Sequence, residues 1–382
     1  MIAHTLRSVN ERLWPGHLAF GPKNIVLGVN NFCNLHCLMC DVGTGNDETN
    51  FGGNLVGSKS KSMPIDLFRL IADQIATSYP ETHLAFAFTE PLAWKPLGEA
   101  LDYCKKKGLW SAVTTNGLLL PRRIEEITSG GCRELSVSLD GPAEVHDRIR
   151  RHVGSFAQAV AGIEAVLATA NPPDISVFCT ITEWNVGALE GFLREMSRLK
   201  LKRVGLLHNN FITADQAAQH NGSYGETLRV TPSNVFLSDP TAIDLVALSA
   251  ELGRIAGSTY PFPVSIHPHL TGIEDLTVYY HQPEIFVGRR CNDAKRILMI
   301  DSDGEAIPVH GRCFRFPIAN IRERSLKEIW NHPSLSRLRR TLHQAGGLLP
   351  ACSRCCGGFS DAGNGRDDVK NSREVVAAGQ SS

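Results

Sequence analysis

NIVLGVNNFCNLHCLMC, residues 24–40, begins with a short apolar run and ends with three cysteines, Cys33, Cys37 and Cys40. The run Asn24–Asn30 is rich in β-branched and aliphatic residues and stops at a polar turn, the pattern of a buried strand. Three thiols separated by three residues and then two can wrap a small inorganic cluster, each sulfur reaching a different corner. Three ligands on a four-iron cube leave one iron open, a position that a fully ligated electron carrier lacks. Two other readings fit the spacing: a zinc site completed by His36, or buried structural thiols.

Downstream, Leu84–Phe88, Ser111–Thr115, Glu134–Leu139, Ile175–Ile181 and Arg203–His208 repeat the strand pattern. Helical patterns lie between them at Pro64–Ser78, Pro96–Lys107, Pro121–Ser129, Ser155–Thr169 and Asn185–Leu199, with Pro240–Ala256 after the last strand. Strands buried on both faces and alternating with helices predict an α/β fold with a parallel sheet and right-handed crossovers. Six βα units are too few for a closed eight-unit barrel, which leaves a partial barrel or an open doubly wound sheet.

The remaining stretches set the expected boundaries. Residues 1–23 form an N-terminal helical extension with Ile2, Leu6, Val9 and Leu13 on one face, and 24–256 the βα domain. Within the latter, the Gly- and Asn-rich segment 43–63 reads as a long mobile loop and 215–237 as a polar insertion or linker. Residues 257–289 read as a linker, 290–359 as a cysteine-rich domain with a helix at 326–344, and 360–382 as a disordered tail.

Composition narrows the function classes. Of 382 residues, 42% are apolar and 20% charged, enough for a sizeable core and against wholesale disorder. Thirty-nine basic and 39 acidic side chains leave no basic excess, so no nucleic-acid partner is expected. The amphipathic start is unlike a signal peptide, and no apolar run approaches the ~18 residues of a membrane span, so no membrane association and a cytoplasmic location are expected. Eleven cysteines are an odd number and too sparse for a disulfide scaffold. They suggest metal or redox chemistry in a reducing compartment.

The motifs after each strand carry a family resemblance. Phe88, Thr89, Glu90 and Pro91 close the second strand, and Thr115, Asn116 and Gly117 follow the third. Ser136, Ser138, Asp140 and Gly141 end the fourth, with His146, Asp147 and Arg150 beyond. With CNLHCLMC ahead of them, this succession resembles the radical S-adenosylmethionine (radical SAM) superfamily. The resemblance implies a partial (β/α)6 TIM-like barrel in which Cys33, Cys37 and Cys40 hold a 4Fe–4S cluster. S-Adenosylmethionine would chelate the open iron and be cleaved reductively to a 5′-deoxyadenosyl radical that abstracts hydrogen from substrate. Thr89 and Glu90 match the stretch that contacts the SAM amino group, Ser138 and Asn185 positions facing its ribose, and Arg150 the arginine beside the pocket. Two positions depart from the family pattern. Met39 replaces an aromatic residue, and Phe88 and Thr89 replace a glycine pair that allows close backbone approach.

Cys291, Cys313, Cys352 and Cys355, with Cys356 adjacent, form a second constellation that suits zinc or an iron–sulfur cluster. Its surroundings, Ile297–Gly304, Ile318–Ile321 and Ser325–Trp330, resemble the auxiliary-cluster extension called SPASM, or twitch in its shorter form, a small α+β domain. The five cysteines from Cys291 onward suffice for one auxiliary 4Fe–4S cluster and not two. The resemblance implies Cys291, Cys313, Cys352 and Cys355 as ligands. Val309 stands at a usual cysteine position, and Cys356 is the substitute should Cys313 not reach. Cys104, Cys132 and Cys179 read as packed core thiols.

An auxiliary cluster could take an electron from the substrate radical, giving a two-electron oxidation. With 23 residues ahead of the first strand, too few for a peptide-binding domain, the expected substrate is a small polar metabolite such as a sugar, cyclitol or nucleoside. The alternative is maturation of a ribosomally made peptide by crosslinking, oxidation or epimerisation. A non-catalytic iron–sulfur electron carrier is a third reading, for which Glu90 and Ser138 would have no use. A reductant such as flavodoxin or ferredoxin is the implied partner. His208 and Asn209, at the carboxyl end of the sixth strand where βα scaffolds place their sites, are the candidate substrate contacts. His267 and His269 straddle a proline and alternate like strand residues, with metal ligation only the lesser alternative, and Tyr279, Tyr280 and His281 would pack the barrel against the cysteine-rich domain.

Overall fold

Alternation along the strands shapes the sheet. Ile25, Leu27, Leu84, Phe86, Val113, Leu135, Val137, Val177 and Leu206 are all fully buried. Most residues between them are half-buried, Ser176 and Gly205 being buried exceptions, so the sheet has one apolar face under helices and one face that is only partly covered. This corrects the expectation of strands buried on both faces. In this computed structural model, which describes residues 2–56 and 60–359, the strands are β1 (Asn24–Leu27), β2 (His83–Phe86), β3 (Ser111–Thr115), β4 (Cys132–Ser138), β5 (Asp174–Ile181), β6 (Arg203–His208), β7 (Val264–His267), β8 (Ile297–Ile300) and β9 (Ala306–Ile307). They join in the order β7-β6-β5-β4-β3-β2-β1-β8-β9. Neighbours from β7 to β8 run parallel, and β9 is antiparallel to β8. The α/β fold with an open, TIM-like parallel sheet is as expected, and each anticipated strand is present within a few residues of its expected bounds.

The sheet extends past six strands at both ends. β7 pairs with β6 from Val204↔Val264 to Leu207↔His267, and the helix Ile273–His281 follows it. The segment read as a linker thus continues the βα rhythm. At the other end β8 pairs with β1 from Asn24↔Ile297 to Leu27↔Ile300, so the cysteine-rich segment contributes a strand to the barrel sheet.

Two loops are more ordered than their composition suggests. Within 43–63 a helix, Asn50–Leu55, starts at Thr49, whose Oγ1 accepts from Gly52 N. The Asn50 side chain donates to the carbonyls of Arg229 (3.0 Å) and Cys313 (3.1 Å), and Asn54 to that of Phe314 (2.8 Å). The segment 215–237 carries most of the helix Ala214–Tyr224, opened by a Thr213–Gln216 capping box. Asp41, beside the three-cysteine loop, is buried and accepts from Asn234 N (2.8 Å) and Ser233 Oγ (2.5 Å). The helix read over 326–344 is two, Leu326–Trp330 and Pro333–Gln344, because Pro333 has no N–H and starts a new first turn.

A main core runs under the sheet, and a second apolar cluster joins Ile212, Leu228 and Val230 to Val309, Phe314, Leu338 and Cys352. Cys104, Cys132 and Cys179 are buried thiols, as read. No helix among the described residues is long and apolar enough to cross a membrane. The tail 360–382 lies outside the described residues.

Candidate functional site

The half-buried strand residues Thr114, Ser138, Thr180 and Leu207 line a cavity of about 340 Å³ at the carboxyl ends of β3 to β6. Cys33, Cys37, Met39 and Cys40 form its wall beyond β1. Leu35, Cys37 and Met39 hold the cysteine loop by packing on Ile149, and Leu38 N donates to Ile149 O (2.9 Å). All three cysteines are free of disulfides. Burial pushes the Cys37 thiol up to about 12, against the pull of the Arg150 guanidinium, and burial raises Cys33 as well. Metal ligation needs thiolates, so loading this site must release protons.

Arg150 ties the loop to the sheet. Its Nε and Nη2 both lie 2.6 Å from Asp140 Oδ2, and its Nη1 lies 3.6 Å from Cys37 Sγ. The whole group is buried, which alone would lower the guanidinium, but the Asp140 charge and the Cys37 sulfur outweigh burial and raise it above its usual value. Asp140 belongs to the quoted motif, but only the folded chain shows it as the anchor of Arg150.

The other cofactor candidates divide. Thr89 lines the cavity and its Oγ1 donates to Asn30 O (2.9 Å). Ser138 lines it directly. Glu90 is fully buried: Oε1 accepts from Leu92 N (2.9 Å) and Thr115 Oγ1 (2.7 Å), and Oε2 from Asn116 N (2.8 Å). Burial raises its carboxyl, and these donors oppose the shift. Glu90 therefore braces the turn after β3, from which Asn116 Nδ2 reaches Cys33 Sγ at 3.8 Å. Asn185 is not on the cavity wall. Its Nδ2 donates to Asp140 O (3.0 Å) and Thr180 O (2.7 Å), and its Oδ1 accepts from Thr182 N (2.9 Å), which leaves it a strand-end brace. Phe88, at the absent glycine, keeps a φ of 88°, a conformation that glycine adopts freely and bulky residues rarely do. Its backbone retains the glycine geometry while its ring adds a wall.

That wall is shared. Phe88, Asn210 and Arg312 line both this cavity and a second one of about 190 Å³, which Cys313, Cys352, Cys355 and Cys356 border. Arg312 contacts Asn210 Oδ1 through Nη1, and its guanidinium sits 4.8 Å from the Phe51 ring centre. Its buried Nε has no partner, and it forms no carboxylate pair among the described residues. The unpartnered atoms Asn209 Nδ2 and Asn234 Oδ1 also belong to residues on the first cavity. Orphaned polar groups of this kind fit a polar ligand. His208 lines the same wall, but its ring is engaged by Tyr280 Oη (2.8 Å) and Leu270 O (2.9 Å). Asn209, not His208, has hydrogen-bonding capacity to spare.

The second cysteine set also converges. Cys355 contacts Cys313 and Cys356, and these contacts lower the Cys355 thiol and raise the other two. Burial raises Cys291 and pushes Cys352 up to about 12. His267 Nε2 donates to Cys356 O (3.1 Å). Tyr279 Oη lies within hydrogen-bond reach of Asn209 O (3.1 Å) and Arg354 O (3.0 Å), joining the end of β6 to the cysteine-rich loop. Motif reading missed His310, Arg312 and Arg354. A lone basic residue in a loop carries no spacing signal; Arg312 and Arg354 each adjoin a cysteine, and His310 lies three residues before Cys313.

The Radical SAM superfamily model matches residues 27–205, and that of the SPASM iron–sulfur cluster-binding domain residues 291–356. An AdoMet-dependent heme synthase of Methanosarcina barkeri (strain Fusaro / DSM 804) is 25% identical over 355 residues, spanning 88% of this chain and 90% of that protein. The mycofactocin maturase MftC of Mycobacterium ulcerans (strain Agy99) is 34% identical over 105 residues, 27% of this chain and 28% of the relative. Among solved structures, Streptococcus suis SuiB bound to S-adenosylmethionine superposes with a TM-score of 0.60 at 15% identity, covering 92% of this chain and 76% of that one. Native anSMEcpe with bound AdoMet gives 0.58 at 13% identity, covering 93% and 99%. At these identities the two structures speak for the fold.

Proposed function

Because this chain belongs to the radical SAM superfamily and carries its iron–sulfur SPASM domain, we propose that it oxidises a small polar metabolite bearing an anionic group. When bound, the first 4Fe–4S cluster and S-adenosylmethionine supply hydrogen-atom abstraction, and the auxiliary cluster supplies an electron acceptor. Cys33, Cys37 and Cys40 would hold the first cluster, with Arg150 compensating thiolate charge at Cys37. Thr89 and Ser138 would border S-adenosylmethionine, and Met39 would pack against it. Asn209 and Asn234 would meet polar groups of the substrate, and Arg312 its anionic group.

The observation that carries this reading is the wall of Phe88, Asn210 and Arg312 common to both cavities. A substrate placed there lies between the site of hydrogen abstraction and the auxiliary cysteines, where an electron can leave it. Arg312 is a cation without a carboxylate among the described residues, and a half-buried charge is costly until paired. Similarity to a heme synthase over nearly the whole length goes with a metabolite. The partial match to a maturase keeps a ribosomal peptide as the second reading.

Anaerobic reconstitution with iron, sulfide, S-adenosylmethionine and dithionite tests the proposal. It should yield 5′-deoxyadenosine, with stimulation by the low-molecular-mass fraction of a cell extract that Arg312→Gln reduces at least tenfold. A fully loaded sample that forms none would leave the electron-carrier reading. Stimulation by the peptide fraction alone would favour the maturase.

A further inference from the structure

His310 brings a ring nitrogen within 4.8 Å of the sulfurs of Cys355 and Cys356, which lie equally close to each other. No other three His, Cys, Asp or Glu side chains gather so tightly among the described residues. His310 Nε2 lies 2.5 Å from Asp293 Oδ2, and Asp293 stands two residues after Cys291. Imidazoles that bind metal usually give their second N–H to a carboxylate or carbonyl, which fixes tautomer and ring orientation. With Nε2 engaged, Nδ1 is the nitrogen left to coordinate.

The backbone shows why the ligand falls at 310. Position 309 is the expected cysteine position, and it holds a valine with φ of 46°. A β-branched residue in the left-handed region is a strained outlier that surrounding structure must enforce. The Val309 side chain is buried with Phe314 and Cys352 in the second apolar cluster. The chain thus commits 309 to packing and turns the next residue, His310, onto the wall of the auxiliary cavity.

Six ligand-capable side chains surround a cluster that needs four. The geometry points to His310, Cys291, Cys352 and Cys355 as the ligands of the auxiliary cluster, with Asp293 orienting the imidazole. Cys313 and Cys356 are then neighbouring thiols in contact with the Cys355 sulfur. This departs from the expectation of Cys313 as a ligand. A neutral imidazole in place of a thiolate raises a cluster's reduction potential, as in two-histidine Rieske centres, and a higher potential suits an electron acceptor. The assignment rests on the auxiliary cluster alone, so its test is independent of turnover and of the substrate proposed above.

The test uses the full chain with Cys33, Cys37 and Cys40 replaced by Ala, so that only the auxiliary cluster forms. Reconstituted, it should hold about four irons. After reduction, pulsed electron paramagnetic resonance should find a strongly coupled nitrogen whose signature changes with 15N-histidine. His310→Cys should keep the iron, lose that nitrogen and lower the midpoint potential. Cys313→Ser should keep both iron and nitrogen. Absence of a coupled nitrogen in the parent overturns the assignment, and so does zinc in place of iron. Loss of the cluster in Cys313→Ser with retention in His310→Ala overturns it equally. The labelled parent decides the matter even where a variant fails to fold.

Discussion

His208 shows how burial changes what a candidate residue can do. The Leu270 carbonyl can only accept, so Nε2 must donate, and Nδ1 is then the acceptor of the Tyr280 hydroxyl proton. Protonation would remove that acceptor in a site that already disfavours charge, and burial lowers the imidazole to about 4. His146 is lowered to about 4 for the same first cause, with Arg150 adding to it. Above the ordinary value of 6.5 both states are neutral and neither histidine makes stability depend on pH. As pH falls from 6.5 toward 4 the unfolded chain takes up protons that the folded chain refuses, so stability is lost through that window. Each shift corresponds to about 3 kcal/mol. The denaturant midpoint of the apo-protein should therefore fall between pH 6.5 and 4, and His208→Gln should flatten the slope relative to wild type. Parallel profiles would show that His208 is not held neutral. None of this was legible from the sequence, where a histidine at a strand end reads equally well as a ligand, a base or a core residue. The cysteine loop was legible, because spacing is local and survives without the fold.

Arg354 makes the corresponding point for an element. The sequence shows it only as a residue between Cys352 and Cys355. In the fold it is fully buried and caps the helix Ile273–His281: Nε donates to Tyr279 O (2.9 Å), Nη2 to Val278 O and Gln282 O (both 2.7 Å), and Nη1 to Ile285 O (2.5 Å). The last carbonyls of a helix have no partner within it, and a cation at that end also suits the helix dipole. Burial lowers the guanidinium to about 10, still charged at neutral pH. So the helix after β7 positions the cysteine-rich loop, and the segment read as a linker is what the auxiliary site stands on. It escaped sequence reading because β7 is four residues long with mixed burial, too short for a period to show. Lysine has three donors in no fixed plane and cannot satisfy this set. Arg354→Lys should lose at least ~2 kcal/mol, seen as a lower thermal midpoint. Its iron content on reconstitution should fall from about eight per chain toward four. Wild-type iron loading in this variant would separate the helix cap from the cluster site.

At the scale of the molecule, the barrel and the cysteine-rich region are one structure. β8 belongs to the second but pairs with β1 of the first, and Leu298, Met299 and Ile300 are buried there. The C-terminal helices also hold the N-terminal segment. Trp330 Nε1 donates to Phe20 O (2.8 Å), and the Asn331 side chain accepts from Leu18 N (2.9 Å) and donates to Leu18 O (3.0 Å). A strand count from the sequence could not reveal this, since which strand pairs with which depends on residues some 270 positions apart. A linker at 257–289 would predict that residues 1–289 fold alone. The pairing predicts otherwise, because cutting there strips β1 of its outer neighbour and leaves Ile25 and Leu27 beside an open edge prone to association. Expressed alone, residues 1–289 should aggregate or unfold well below the full chain, and the full apo-protein should melt in one transition. A soluble, monomeric 1–289 fragment with the melting midpoint of the full chain would show the β1–β8 pairing to be dispensable, and the cysteine-rich region to be an appended domain after all.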